Sequence, residues 1–402
     1  MTARDKHLLE TPQAPRTLAA SAHTGDTAPA EPPAAAKKNI KDYTLAELTA
    51  WMTAQGEPVF HARQIFQWLY QKRVRQFQEM TTLSKSLRML LESHFHMGNL
   101  EAASRQESSD GSRKFAFRLS DGRLVEAVLM PNNTHYTVCI SSQVGCAMGC
   151  AFCMTAKMGL ERNLTPGEIV GQVVELAREI QDDKLVRNVV YMGMGEPLHN
   201  FEPVMSSLAI LQEDFGFGLS QRRITVSTSG LVPAIRRFGA HPARVMLAIS
   251  LNGVTDATRG TLMPVNRRWP IAEVLQACRD IPSDNRYRIT FEYILMKGVT
   301  DDLADARKLV RLLHGMKCKV NLIPYNPYPG SPFHAPDLER CHAFQRLLLE
   351  RGLLATLRIS KGQDIQAACG QLITGAKTPA EREAAAERVK MTLSELEASL
   401  GG

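Results

Sequence analysis

Cys146, Cys150 and Cys153 stand in the run Cys-Ala-Met-Gly-Cys-Ala-Phe-Cys. Thiolates at this spacing can converge on one metal centre, and soft sulfur ligands select iron–sulfur clusters or zinc. A structural zinc takes four protein ligands, usually from two close pairs. No second pair stands nearby. Three ligands to a four-iron cluster leave one iron open to a substrate or cofactor. Three of the chain's eight cysteines fall in this short run, so chance clustering is a poor rival.

The rest of the sequence fits such a centre. The N-terminus leads into no long apolar stretch, and no run approaches the about 18 apolar residues that cross a bilayer. A cytoplasmic protein without membrane contact is expected. In that reducing compartment, eight cysteines point to metal binding or catalysis rather than a disulfide framework.

A metal loop needs a scaffold to position it. From about residue 135, strand-like runs at 136–141, 188–192, 223–227, 245–251, 289–295 and 320–324 alternate with amphipathic helices such as 165–180 and 301–313. Repeated βα units imply a parallel sheet. About six of them predict an α/β fold, a partial (βα)6 barrel over residues 135–372. Ligands in such folds sit at the C-terminal ends of the strands. The cysteine loop follows the first strand and therefore lies at that end. Gly195-Glu196-Pro197, Ser227, Ser250-Leu251-Asn252 and Asn326 follow later strands. Glycine admits a ligand to the backbone, a carboxylate accepts from an ammonium, and Ser and Asn offer donors and acceptors. Each alone is an ordinary turn residue. Together, on the face that holds the cysteines, they form a candidate binding site.

Residues 1–39 are rich in Ala, Pro, Thr and Ser and predict a disordered tail, because they bury too little to offset ordering entropy. Residues 40–105 predict a small helical domain. Thr44-Leu-Ala-Glu47 is a capping box opening a helix with Leu45, Leu48 and Met52 on one face. A second helix carries Ile65, Phe66, Leu69 and Tyr70, and a third spans about 84–95. Lys72, Arg73 and Arg75 leave two readings open, a solvated basic face or an RNA-binding accessory domain. Residues 106–134 predict a β-hairpin with Asp121-Gly122 as its turn, and Glu126 sits inside the apolar return strand. Residues 373–402 read as a polar C-terminal tail. Net charge is +7, which fits a polyanionic partner as well as it fits a scattered surplus. Arg222-Arg223, Arg236-Arg237, Arg267-Arg268, Lys317 and Lys319 are candidate phosphate contacts.

Cys-x-x-x-Cys-x-x-Cys after the first strand of a partial barrel resembles the radical S-adenosylmethionine (SAM) superfamily. The wider context is similar to one branch of it, the RlmN/Cfr methyltransferases, over about residues 40–372. That context is Cys139-Ile-Ser-Ser-Gln-Val-Gly followed by the cysteine run, Gly193-Met-Gly-Glu-Pro197, Pro324-Tyr-Asn-Pro327 and Ala367-Ala-Cys-Gly-Gln-Leu372. The resemblance implies a [4Fe-4S] cluster on Cys146, Cys150 and Cys153 whose open iron chelates SAM. It implies SAM contacts from Gly195, Glu196, Ser227, Ser250, Leu251, Asn252 and Asn326, the last with an amide suited to the adenine edge.

The implied reaction methylates an adenine carbon that is not nucleophilic, so direct displacement from SAM fails. Two SAM molecules serve each turnover. One methylates Cys369, giving S-methylcysteine. The other is cleaved to a 5′-deoxyadenosyl radical that removes a hydrogen from that methyl. The resulting carbon radical adds to adenine. Glu126 is the implied proton acceptor, and Cys139 resolves the linkage through a transient disulfide with Cys369. Without the resemblance, Cys139 and Cys369 read as buried thiols and Glu126 as a solvent-facing edge residue. Cys278, Cys318 and Cys341 keep the core reading.

The implied substrate is an adenosine of the peptidyl transferase centre in 23S rRNA, methylated at C2. Some relatives also modify tRNA beside the anticodon. The base must leave its stack to react. A monomer served by an external electron donor of flavodoxin or ferredoxin type is expected. Two rivals stand: Cfr-like methylation at C8, and a non-enzymatic RNA-binding protein with a structural zinc.

Overall fold

The computed structural model describes residues 37–282 and 289–374. The expected tail up to residue 36, and the C-terminal tail from residue 375, lie outside the described residues. The described chain opens on a two-residue strand, β1 (Lys38–Asn39), parallel to β2 (Phe95–His96). Residues 38–39 therefore belong to the folded unit rather than to the tail, because their backbone is paired.

Between these strands lie α1 (Leu45–Ala54), α2 (Phe60–Phe66) and α3 (Lys85–His94). The capping box forms as the sequence predicts, with Thr44 accepting from Glu47 N and Glu47 accepting from Thr44 N. Leu48, Met52, Ile65, Phe66, Leu87 and Leu91 are buried and hold the helices together.

Three antiparallel strands follow, β3 (Glu101–Glu107), β4 (Arg113–Arg118) and β5 (Leu124–Pro131). The last two are the expected hairpin. The expected boundary at 105/106 instead cuts through β3. Every residue of β3 is exposed, so it carries no apolar alternation to read as a strand. Its backbone pairing to β4 places it.

The hairpin does not stand apart from the barrel. β5 pairs antiparallel with β6 (Tyr136–Cys139). After β6, a small ribbon of β7 (Gln143–Gly145) and β8 (Leu160–Asn163) encloses the cysteine loop. The parallel sheet continues from β6 through β9 (Val186–Tyr191), β10 (Ile224–Thr228), β11 (Met246–Ser250), β12 (Ile289–Leu295), β13 (Cys318–Pro324) and β14 (Ala355–Leu357). The full order is β14-β13-β12-β11-β10-β9-β6-β5-β4-β3. β3 and β14 form its two edges, so the barrel is partial. Six of the parallel strands match the predicted runs. β14 is a seventh, three residues long and too short to show a period.

The helices α4 (Pro166–Arg178), α5 (Phe201–Gln212), α6 (Val232–Ala240), α7 (Asp256–Leu262), α8 (Ile271–Asp280), α9 (Leu303–Leu312) and α10 (Leu338–Glu350) connect these strands. No described helix is long and apolar enough to cross a membrane.

The N-terminal helices are bolted to α4. Arg178 donates to the carbonyls of Arg73 and Val74, and Arg75 pairs with Glu175 at 3.0 Å. Asp42 accepts from Gly167 N at 2.8 Å, in the first turn of α4. Arg75, one of the three basic residues left open above between a solvated face and RNA binding, is thus engaged in structure.

Candidate active site

A cavity of about 160 Å³ opens at the C-terminal ends of the parallel strands. Cys146, Cys150, Cys153 and Cys369 line it together, although Cys369 comes from the far end of the described chain. Gly195 and Glu196 after β9, Ser227 on β10, and Ser250 and Asn252 at β11 form its walls.

The cysteine loop is built on glycine. Gly145 has φ +76, and a side-chain carbon there would lie 1.8 Å from Gly159 O. That close approach lets Cys146 N donate to Gly159 O at 3.0 Å and turns the chain into the loop. Ala151 N donates to Leu262 O, and Met154 N to Gly370 O, so the loop is tied both to α7 and to the segment carrying Cys369. All four thiols are free. Burial pushes Cys146, Cys150 and Cys153 above the ordinary thiol range. Binding a soft metal centre here therefore releases protons.

These residues fit an iron–sulfur centre with an organic ligand beside it. The donors are three sulfurs, the ligand type that holds such clusters, and they leave one cluster position without a protein ligand. No three His, Cys, Asp or Glu side chains among the described residues group closely enough for one metal ion. A cluster sets its ligands further apart than a single ion does. On the wall beside the sulfurs, Gly195 is bare at φ +102, and Ser229 Oγ is buried without a hydrogen-bond partner. An organic ligand with polar groups would meet both.

Glu196 is buried and pinned, accepting from Ser229 N at 2.7 Å and from Leu198 N at 3.2 Å. Its own N–H donates to Gln143 Oε1 at 2.8 Å. Asn252 takes φ +51, and its Oδ1 accepts from Ile294 N at 3.0 Å. Leu251 backs the wall without lining the cavity. It is fully buried, and its N–H donates to Glu292 O.

Asn326 differs from the expectation of a base-reading amide. Its Nδ2 donates to Cys369 O at 3.2 Å, and its Oδ1 accepts from Gln363 Nε2 at 3.1 Å. Here the amide holds the Cys369 segment.

Cys139 and Glu126 do not line the cavity; Cys139 feels the charge of Cys369, and Glu126 accepts from Ile373 N, four residues beyond Cys369. Register places Val128 of β5 opposite Cys139 of β6, so Glu126, two residues from Val128, shares a sheet face with Cys139. The expected solvent-facing edge position is therefore wrong for Glu126, because β3 and β4 cover that side and β5 is interior. Burial raises the Glu126 carboxyl, opposed by Lys114. Burial pushes the Cys139 thiol up to about 12.

Three buried or cavity-facing charged residues escaped the sequence reading. Arg259 is fully buried and donates to the carbonyls of Leu251 and Ser229 and to Asn266 Oδ1. Arg358 faces Cys369, Glu292 and Cys139, which hold its guanidinium protonated against burial. Glu292 is a buried carboxylate in the cavity wall, bonded to Asn321 Nδ2 at 2.8 Å. Glu292 interrupts an apolar strand as Glu126 does, and that was its signal. Arg259 and Arg358 look like any surface arginine in sequence.

Among the candidate phosphate contacts, Arg236 pairs with Asp280 at 3.7 Å, while Arg237 pairs with Glu202 and lies over the Phe201 ring. These two charges are already partly matched. Cys278, Cys318 and Cys341 are buried in the core as read.

Fold and cysteine loop together define a class, the radical SAM enzymes. A family model of the radical SAM superfamily matches residues 140–310, and one for a ribosomal RNA large subunit methyltransferase N-terminal domain matches residues 38–97. The chain is 49% identical over 336 residues to the dual-specificity RNA methyltransferase RlmN of Geotalea uraniireducens, spanning 84% of this chain and 96% of that one. It is 46% identical to the protein of that name from Pelobacter propionicus, over 86% and 99%. A crystal structure of a radical SAM methyltransferase from Sphaerobacter thermophilus superposes with TM-score 0.79 at 47% identity, over 83% of this chain and 98% of that one. The chain belongs to the RlmN family of radical SAM methyltransferases, whose cofactors are a [4Fe-4S] cluster and SAM. That membership removes the structural-zinc rival.

Proposed function

We propose that this enzyme methylates C2 of an adenosine in the peptidyl transferase centre of 23S rRNA, and of an adenosine beside the anticodon in tRNA, with Cys369 as methyl carrier. One observation carries the reading: Cys369 shares a cavity with Cys146, Cys150 and Cys153, while Cys139 and Glu126, on the adjacent strands β6 and β5, interact with Cys369 and with Ile373 of its segment. The relatives' description as dual-specificity RNA methyltransferases supports RNA as substrate. Their name also favours C2 over C8, the atom linked above to the Cfr branch.

Cys146, Cys150 and Cys153 would hold the cluster, and Gly195, Glu196, Ser227, Ser250 and Asn252 would hold SAM against it. Bound there, the pair supplies a methyl group and, from a second SAM, the radical that removes hydrogen. Cys369 accepts the methyl on its sulfur and presents that carbon to the base. Asn326 fixes the carbonyl of Cys369 and so sets its approach. Glu126 takes the proton from the adenine carbon. Cys139 Sγ then bonds Cys369 Sγ as the carbon–sulfur bond breaks, and the released carbon takes up a proton to complete the methyl group. The adduct's unpaired electron passes to the electron-transfer partner, and external reductant restores both thiols with two electrons and two protons. Arg358 faces both cysteines, and its cation opposes the rise that burial imposes on the Cys139 thiol. The protein works as a cytoplasmic monomer with an electron donor of flavodoxin or ferredoxin type.

Nucleoside mass spectrometry of rRNA and tRNA from a deletion strain tests this. Loss of 2-methyladenosine from both pools, restored by the wild-type gene, is expected. Persistent 2-methyladenosine, or loss of 8-methyladenosine in its place, contradicts it.

A further inference from the structure

Glu126 has a partner that the reaction scheme above does not use. In the β4–β5 register, Lys114 opposes Val128 and Glu126 opposes Ala116. The two charged residues are therefore diagonal neighbours on one sheet face. Lys114 Nζ lies 3.2 Å from Glu126 Oε1, and both side chains are nearly closed to solvent. The same ammonium donates to Gln366 O at 3.3 Å. The other carboxylate oxygen accepts from Ile373 N at 2.8 Å. Residues 366–373, with Cys369 in their middle, are thus pinned at both ends by one buried ion pair.

The surroundings of Glu126 leave Lys114 as its charged neighbour. The C-terminal segment offers the Ile373 N–H. Met194 and Ser141 hydrogen-bond with the backbone of Glu126 and carry no charge. Cys139 on β6 shares its face, but that thiol is neutral at ordinary pH. The other members of its own face, Val128 and Ala116, are apolar.

We propose that Lys114 is a positioning residue of the methyl transfer, whose ammonium fixes the Glu126 carboxylate against the segment that carries Cys369. The inference rests on Glu126 as proton acceptor. It makes two demands of Lys114, a charge beside the carboxylate and a donor to Gln366 O. Loss of the charge lets burial dominate, so Glu126 stays protonated to higher pH and cannot accept a proton there.

Lys114→Gln keeps a donor and removes the charge, whereas Lys114→Arg keeps a cation. Initial rates of RNA methylation by the cluster-loaded enzymes are measured across pH, with iron content read alongside. The rising limb is expected to move up by about one pH unit or more in Lys114→Gln. It should stay at its wild-type pH in Lys114→Arg, with a lower plateau. A Lys114→Gln limb at the wild-type position overturns the proposal. If that variant fails to hold iron, Lys114→Arg decides alone, and a displaced limb there overturns it. Glu126→Gln separates the two readings. Wild-type methylation by that variant removes the proton acceptor itself. An inactive Glu126→Gln beside an unshifted Lys114→Gln removes only the role of Lys114.

Discussion

Gly195 shows how little freedom single positions at this site retain. A side-chain carbon there would stand 2.6 Å from Gln143 Cβ and 2.8 Å from Gln143 N, on a backbone held at φ +102. Gly195→Ala should cost about 1–3 kcal/mol in stability and weaken SAM binding about tenfold, read by thermal melting and titration calorimetry. An unchanged SAM affinity would show that the conformation held at Gly195 does not shape the ligand site. The cysteine run and Gly195-Glu196 were legible because their chemistry is carried by residue type and spacing. Lys114 was not, because its meaning comes from a diagonal across two strands and from a carbonyl about 250 residues away. Asn326 was legible as a polar strand-end residue, but its orientation is set by Cys369 O and Gln363, which no local pattern reveals.

Strand ends make the site, and a buried arginine holds two of them in place. Arg259 reaches from α7 to the carbonyls of Leu251, after β11, and Ser229, after β10. Burial lowers its pKa to about 10, which still leaves it charged at neutral pH. Arg259→Met strands buried carbonyls without a donor. The expected loss is on the order of 3 kcal/mol in stability, with reduced iron retention, measured by chemical denaturation and iron analysis. A variant as stable as wild type would mean that the strand ends are set by the sheet alone. The six main strands were readable because each is an apolar run between helical periods. β3 is fully exposed and β14 has only three residues, so both depend on neighbours that sequence order does not announce.

At the scale of the whole molecule, α4 joins the helical unit to the reaction centre. Its N-terminal and C-terminal turns take Asp42 and the carbonyls of Arg73 and Val74. Between them Gln172 exchanges two hydrogen bonds with the backbone of Ser141, two residues after Cys139. The hairpin joins from the other side, since its two strands continue the barrel sheet and hold the C-terminal segment. In the turn that leads from β3 into the hairpin, Ser108 and Ser109 both bond to Asp364, and Asp110 accepts from Gly362 N. The hairpin thus supplies the frame in which Cys369 meets the cysteine loop. The central claim is that Cys369, brought there by this frame, carries the methyl group. It is tested by incubating the anaerobic holoenzyme with SAM labelled in its methyl, then with unlabelled SAM and RNA, and sequencing the protein by mass spectrometry at each stage. The account predicts label on the Cys369 sulfur before RNA is added and in the adenosine afterwards. Labelled adenosine from an enzyme whose Cys369 never carries label would contradict it.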